Sequence, residues 1–164
     1  MSGRNGNRGG SVKKILLAVD DTKGAHSAFS FCSDICPGLH PEGVVLLFVE
    51  RFEGKSLIAE MLGDAEASTL RDALQGSEYK ATLDRKASAI LDHYRKALEE
   101  KGLTGIKTIV KFGHPADEIL NTAREENAGM IVIGSRGRRT SHLFMGSISR
   151  EVANRSEVPV LLVK

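Results

Sequence analysis

The last third of the chain holds glycines and serines whose spacing is typical of phosphate binding. Gly134 and Gly137 form a G-x-x-G motif, and Gly146-Ser147 follows after eight further residues. Glycine lets a backbone approach a ligand closely, and a helix N-terminus offers unpaired N–H groups with a partial positive charge. The motif alone is weak evidence, but an apolar run over 130–133 precedes it and a helical pattern follows it. This order of strand, glycine loop and helix predicts a phosphate site.

Other residues with binding chemistry follow apolar runs elsewhere in the chain. Asp20 ends the run KKILLAVD, Val49 ends VVLLFV, and Gly113 follows the run that starts at Ile106. Because the carboxyl ends of parallel strands meet at one edge of a sheet, we expect these positions to converge with Gly134 on one ligand.

Buried strands and amphipathic helices must position these residues, and the two patterns alternate along the chain. Apolar spacing predicts a helix from Gly24 that Pro37-Gly38 stops, and a long helix over 83–98 that Gly102 closes. Pro115 fits the first turn of a third helix. The pattern predicts an α/β fold: one doubly wound five-stranded parallel sheet, order 3-2-1-4-5, with helices on both faces.

Several classes of protein are excluded or made less probable by the sequence. No G-x-x-x-x-G-K-[ST] motif is present, and no G-x-G-x-x-G follows the first strand, which argues against P-loop and dinucleotide folds. After residues 1–14 the chain holds 19 basic and 21 acidic side chains, so nucleic acid is not the expected partner. No apolar run approaches the roughly 20 residues of a membrane span. We expect a cytoplasmic protein.

We also expect neither a reactive cysteine pair nor a metal site formed by protein side chains alone. Cys32 and Cys36 lie four residues apart in an apolar helical pattern, which favours two small core thiols. The five histidines show no paired ligand spacing.

Two segments fall outside the regular pattern. Residues 1–12 are rich in glycine, arginine and asparagine, which predicts a flexible N-terminal tail before a domain over 13–164. Residues 51–76 contain short apolar helical turns, and this segment is a candidate flap or partner surface.

From Lys13 to Lys164 the chain resembles the universal stress protein family, and specifically its ATP-binding branch. The resemblance rests on the first strand ending in Asp20, the LLFVE strand, the G-H-P before the third helix, the glycine motif and the VPVLLVK end. The family pattern is G-x2-G-x9-G-[ST], whereas this chain has eight residues before Gly146.

The resemblance implies a role for each residue that matches the family motif. Asp20 would lie at the adenosine end of ATP and Val49 against the adenine. The other implied contacts, to the ribose and the phosphates, are Gly134, Gly137, Gly146, Ser147 and Ser149, with a divalent cation (Mg²⁺ or Mn²⁺) bridging the phosphates.

Three of these interpretations have plain structural alternatives. Asp20 is equally typical of a turn after a strand, and Ser147 of a helix N-cap. Arg136 and its neighbours Arg138 and Arg139 either steer polyphosphate towards the loop or are solvated loop charge.

Three classes of function remain. The first is an ATP-binding regulatory or stress-response protein, the second a slow ATPase or nucleotide-transferring enzyme, and the third a dimerisation module that binds no nucleotide. No residue is identifiable as a positioned general base, so we assign no catalytic residue.

The last apolar run predicts a homodimer. Residues 158–163 come last in a doubly wound order, which places them at a sheet edge with little charge to protect it. The family resemblance implies the same mode of dimerisation.

Overall fold

The computed structural model describes residues 13–50, 78–136 and 145–164. The predicted tail over 1–12, the 51–76 segment, Gly137, Arg138 and Arg139 lie outside the described residues. The division of the chain at residue 12 therefore stays a prediction. The elements are β1 (Lys14–Ala18), α1 (Lys23–Leu39), β2 (Gly43–Glu50), α2 (Glu78–Glu100), β3 (Ile106–Phe112), α3 (Pro115–Glu125), β4 (Ala128–Gly134), α4 (Ser147–Arg155) and β5 (Val160–Val163).

The five strands form one parallel sheet in the order β3-β2-β1-β4-β5, as the sequence predicts. The central strands are apolar on both sides because helices cover both faces of the sheet. Along β1, Ile15 and Leu17 face one core while Leu16 faces the other, and all three side chains are fully buried. Successive side chains of β1 therefore face opposite sides of the sheet and belong to two separate cores. The continuous apolar run in the sequence does not show this alternation.

Each core belongs to one pair of helices. On one face α1 and α2 supply Cys32, Tyr94 and Leu98, and on the other α3 and α4 supply Ile119 and Val152. In the described ranges each face carries two helices, which is the doubly wound arrangement.

The end of α1 corrects one prediction. The sequence predicts a stop at Pro37-Gly38, but the helix continues through Pro37 to Leu39. Proline in the last turn removes the hydrogen bond that its N–H would donate to the Ser33 carbonyl, and the helix ends two residues later. The helix ends instead at His40, which is left-handed at φ 46° and donates its N–H to the Cys36 carbonyl at 3.1 Å.

The end of α2 follows the prediction. Gly102 has φ +80°, and its N–H bonds the Glu99 carbonyl at 2.9 Å, while the Leu103 N–H bonds the Leu98 carbonyl at 3.1 Å. These two bonds form a Schellman cap, for which the positive φ of glycine is suited. Among the described residues, no helix is both long and apolar enough to cross a bilayer.

Candidate functional site

The carboxyl edge of the sheet has an opening where β1 stops before its neighbours. The last β1 pair joins Ala18 to Leu47, and β2 continues beyond Leu47 to Glu50. On the other side, β4 continues beyond its last β1 partner, Val132, to Gly134. With neighbouring strands ~4.8 Å apart, β2 and β4 lie roughly 10 Å from each other. We call this opening, bounded by Val49 and Gly134, the notch.

The chain that leaves β1 turns beside the notch at Asp20. One carboxylate oxygen, Oδ1, accepts a hydrogen bond from the Thr22 N–H at 2.8 Å. Thr22 then caps α1, because its hydroxyl oxygen accepts from the Ala25 N–H at 3.2 Å. Asp20 is therefore a turn residue in this structure, and the turn involves only one of its two carboxylate oxygens.

The other wall of the notch is a close backbone contact that the sequence does not reveal. A Cβ on Gly134 would lie 2.4 Å from the Gly24 carbonyl carbon, and a Cβ on Gly24 would lie 2.1 Å from the Arg136 carbonyl oxygen. Neither distance is possible for a real side chain, so glycine is required at both positions. Gly24 was missed as a site residue, although glycine in the first turn of a helix is an unfavourable choice that needs a reason.

Ser135 joins the strand, the loop and the following helix. Its N–H donates to the Val163 carbonyl at 2.7 Å, and its carbonyl accepts from the Gly146 N–H at 2.8 Å. The loop that leaves β4 thus returns to its own stem at Gly146. The Ser135 side chain is 6% exposed, and within the described structure its hydroxyl has no hydrogen-bond partner.

The N-terminus of α4 lies at this junction. Gly146 is the N-cap and provides no side-chain cap for the first helical N–H groups. Ser147 is exposed, whereas Ser149 is buried and its hydroxyl hydrogen faces two carbonyl oxygens, of Ser135 at 2.9 Å and Gly146 at 3.0 Å. Ser149 therefore ties the helix to the strand end in this structure. The spacing of Ser149 and Val152 (i, i+3) is the sequence signal that places Ser149 on the buried stripe.

Of the remaining residues predicted for the site, Val49 and Arg136 are both half-buried at the carboxyl edge. Val49 packs against the core under α3 and α4. The structure thus brings Asp20, Val49, Gly134, Arg136 and Gly146 to one edge of the sheet, around the ends of β1, β2 and β4.

Three side chains elsewhere could in principle ligate a cation. His114, Asp117 and Glu151 place one ligand atom each within 4.8 Å of the others. However, the Arg155 guanidinium lies 2.8 Å from Asp117 Oδ1 and also pairs with Glu151, and these two carboxylates raise the pKa of Arg155. A charged guanidinium already occupies the space between the carboxylates, so this group is an ion-pair network that joins α3 to α4.

Comparison with known proteins agrees with the geometry. The universal stress protein family matches residues 11–164. A universal stress protein of Methanocaldococcus jannaschii is 29% identical over 156 residues, which cover 93% of this chain and 94% of the relative.

Solved structures show the same fold. The structure of that Methanocaldococcus protein superimposes with a TM-score of 0.75 at 28% identity, over 94% of this chain and 97% of the other. A universal stress protein in complex with cAMP gives 0.65 at 22% identity, covering 94% of this chain and 99% of that one. One from Archaeoglobus fulgidus in complex with dAMP gives 0.58 at 20% identity, covering 94% and 100%. The chain described here belongs to the universal stress protein family.

Proposed function

We propose that this protein binds ATP at the notch, with a divalent cation on the phosphates, and that nucleotide occupancy regulates its shape or its choice of partner. The observation that carries the proposal is the junction of β4 and α4. There the N-terminus of α4, which has no side-chain cap, bonds through the Gly146 N–H to the carbonyl of Ser135, and the buried hydroxyl of Ser135 has no partner among the described residues.

The phosphate end of the proposed site is at this junction. The first N–H groups of α4 lack acceptors within the helix, and the helix dipole favours negative charge beside them. A buried hydroxyl without a hydrogen bond is costly, and a phosphate oxygen would satisfy the Ser135 hydroxyl. Both features favour an anion.

The nucleoside end would lie across the notch, at the ends of β1 and β2. Asp20 Oδ1 is engaged by Thr22, and Oδ2 can accept a hydrogen bond from a ribose hydroxyl. The half-buried side chain of Val49 offers an apolar surface for a base. The relatives in complex with cAMP and dAMP support adenine nucleotides as the class to test first.

The oxygen donors near the notch fit a cation that is held mainly by phosphate. Asp20 supplies a carboxylate there, and Ser147 has an exposed hydroxyl. Magnesium is commonly bound by one or two protein oxygens together with substrate phosphates and water. When bound, the cation would neutralise phosphate charge.

Ser135→Ala separates ligand binding from stability. We expect ATP with Mg²⁺ to raise the melting temperature of the wild type, since saturation at 100 times Kd adds about 2.7 kcal/mol to the free energy of unfolding. In Ser135→Ala, ATP affinity should fall about ten-fold, because a hydrogen bond to a charged group is lost. The apo variant should be as stable as the wild type or more so, because a buried unsatisfied hydroxyl is removed. Calorimetric titration and urea unfolding measure the two quantities.

Gly146→Val provides the stronger disruption. A branched side chain at the N-cap would occupy the space where the phosphate must approach, so the ATP-induced thermal shift should disappear. No shift of the folded wild type at millimolar ATP would contradict the proposed function. It would favour the alternative of a dimerisation module that binds no nucleotide.

Turnover distinguishes the regulatory protein from the enzyme. In the described part of the notch, the α4 N-terminus is lined by glycine, serine and backbone groups rather than by a base held against a water molecule. We therefore expect steady-state phosphate release slower than ~1 s⁻¹, below ordinary enzyme turnover. A faster rate in a phosphate-release assay, lost in Gly146→Val, would establish the enzyme alternative instead.

A further inference from the structure

A buried tyrosine on α2 reaches the turn that carries Asp20. Tyr94 is 1% exposed, and its hydroxyl lies 3.2 Å from the Asp20 carbonyl oxygen and 2.9 Å from His26 Nδ1. Its ring packs on Phe29 with centroids 4.5 Å apart. The tyrosine is therefore held by the core under α1 and α2, and its hydroxyl extends from that core to the start of the notch.

The directions of the two hydrogen bonds follow from the number of hydrogens. A carbonyl oxygen can only accept, so the single hydroxyl hydrogen of Tyr94 is donated to Asp20. The tyrosine oxygen then accepts from His26, which must carry a hydrogen on Nδ1. Burial and the charges of Asp20 and Asp21 raise the pKa of Tyr94 to about 12, so the hydroxyl stays protonated and able to donate at neutral pH.

A second contact joins the same helix to the same turn. Lys86, two turns before Tyr94, has its Nζ 2.9 Å from Asp21 Oδ2. Both side chains are more than a third exposed, so this pair contributes little energy by itself. Of these two contacts, the buried tyrosine is the one that is shielded from solvent.

We propose that Tyr94 is a positioning residue for the nucleoside end of the notch, holding the Asp20–Thr22 turn where the Asp20 carboxylate can meet a ribose. The inference rests on the proposed nucleotide function, and it assigns the positioning contact to α2. Tyr94 touches no part of the notch directly. It acts through the main chain of Asp20 and through His26 in the first turn of α1.

Tyr94→Phe tests the inference because it removes the hydroxyl and keeps the ring. We expect the Kd for ATP to rise about three- to ten-fold, the loss for one hydrogen bond. The Kd for 2′,3′-dideoxy-ATP should stay unchanged, since that probe has no ribose hydroxyl for Asp20 to bind. Asp20→Ala should show the same split, and Tyr94→Phe should add no further loss in the Asp20→Ala background.

The matched control removes a polar contact between the same two helices far from the notch. Lys101 at the end of α2 bonds Ser33 Oγ at 2.9 Å and Asp34 Oδ1 at 2.6 Å on α1. We expect Lys101→Met to alter stability slightly and to leave both nucleotide affinities as in the wild type. If Tyr94→Phe raised the Kd for ATP and the Kd for 2′,3′-dideoxy-ATP equally, Tyr94 would have only a structural role. That result would overturn the inference.

A second readout needs no nucleotide, so failure of the proposed function can be distinguished from failure of this inference. The Thr22 amide hydrogen is bonded to Asp20 Oδ1 within the turn. In the apo protein, Tyr94→Phe should accelerate its exchange with solvent by about three- to ten-fold, while Lys101→Met should not. Unchanged exchange in Tyr94→Phe would overturn the inference. Absence of ATP binding by the wild type with accelerated exchange would refute only the nucleotide function.

Discussion

Gly24→Ala is expected to destabilise the protein by about 3 kcal/mol or more, the upper range for overpacking a well-packed site. The new Cβ would lie 2.1 Å from the Arg136 carbonyl oxygen, so either α1 or the end of β4 must move. Helix propensity opposes this result, because alanine is favoured over glycine by ~1 kcal/mol within a helix. A large loss would therefore show that the contact between α1 and β4 dominates. Urea unfolding with comparison of midpoint and slope measures it.

Gly38→Ala in the same helix is the matched control. Gly38 is exposed, and a Cβ there would meet nothing within 4 Å. Alanine should thus be tolerated, with a gain of up to ~0.5 kcal/mol from the reduced freedom of the unfolded chain. If Gly24→Ala proved as stable as Gly38→Ala, the close approach of the two backbones would not exist in solution.

The fold could be predicted from the sequence because its main determinants are local patterns. Short apolar runs separated by amphipathic stretches predict buried parallel strands, and right-handed crossovers then restrict the order. The predicted order 3-2-1-4-5 is confirmed, as are Gly102 at the end of α2 and Pro115 at the start of α3. The two helix ends depend on residues that are neighbours in the chain, whereas the strand order follows from how crossovers arrange whole elements.

The parts that could not be predicted depend on contacts between distant segments. The contact between Gly24 and Gly134 joins residues far apart in sequence, so nothing near either glycine reveals the other. Tyr94 lies in the core on α2, and only the folded structure shows its hydroxyl at Asp20. The predicted stop at Pro37-Gly38 was wrong by one residue, because the helix ends at Leu39.

The glycine motif shows both outcomes in one segment. The strand β4, Gly134, Gly146 and the helix α4 lie where the sequence predicts. The directions of the side chains in this segment were not predictable from residue type alone. Ser149 was assigned to phosphate through the family resemblance, yet its hydroxyl bonds two backbone carbonyls in this structure. Its role as a phosphate ligand stays a prediction. Ser135, which no motif position singled out, has a buried hydroxyl without a partner among the described residues.

Among the described residues β5 pairs only with β4, and its other edge bears on the proposed homodimer. Two hydrogen bonds show which β5 backbone groups face β4: the Ile131 N–H donates to the Pro159 carbonyl, and the Ser135 N–H donates to the Val163 carbonyl. Alternate residues of β5 therefore direct their backbone groups towards β4. In a parallel ladder the peptide groups of the intervening residues, Val160 and Leu162, then point away from β4. All four β5 side chains are half-buried, unlike the fully buried residues of the central strands. A second β5 strand would satisfy the open groups and cover these side chains.

We therefore expect the wild type to sediment as a dimer at tens of micromolar, and Leu161→Lys to sediment as a monomer. A two-fold axis beside β5 pairs the strand with its own copy in antiparallel orientation and brings the two substituted lysines close together. Like charges across strands oppose pairing, and lysine on an edge strand is a common means of preventing it. Leu161→Val is the matched control and should remain dimeric, since it keeps an apolar residue suited to a strand. Circular dichroism must show that Leu161→Lys is folded, because Leu161 also packs against the core under α1. A monomeric wild type, or a folded Leu161→Lys that remains a dimer, would rule out β5 as the interface.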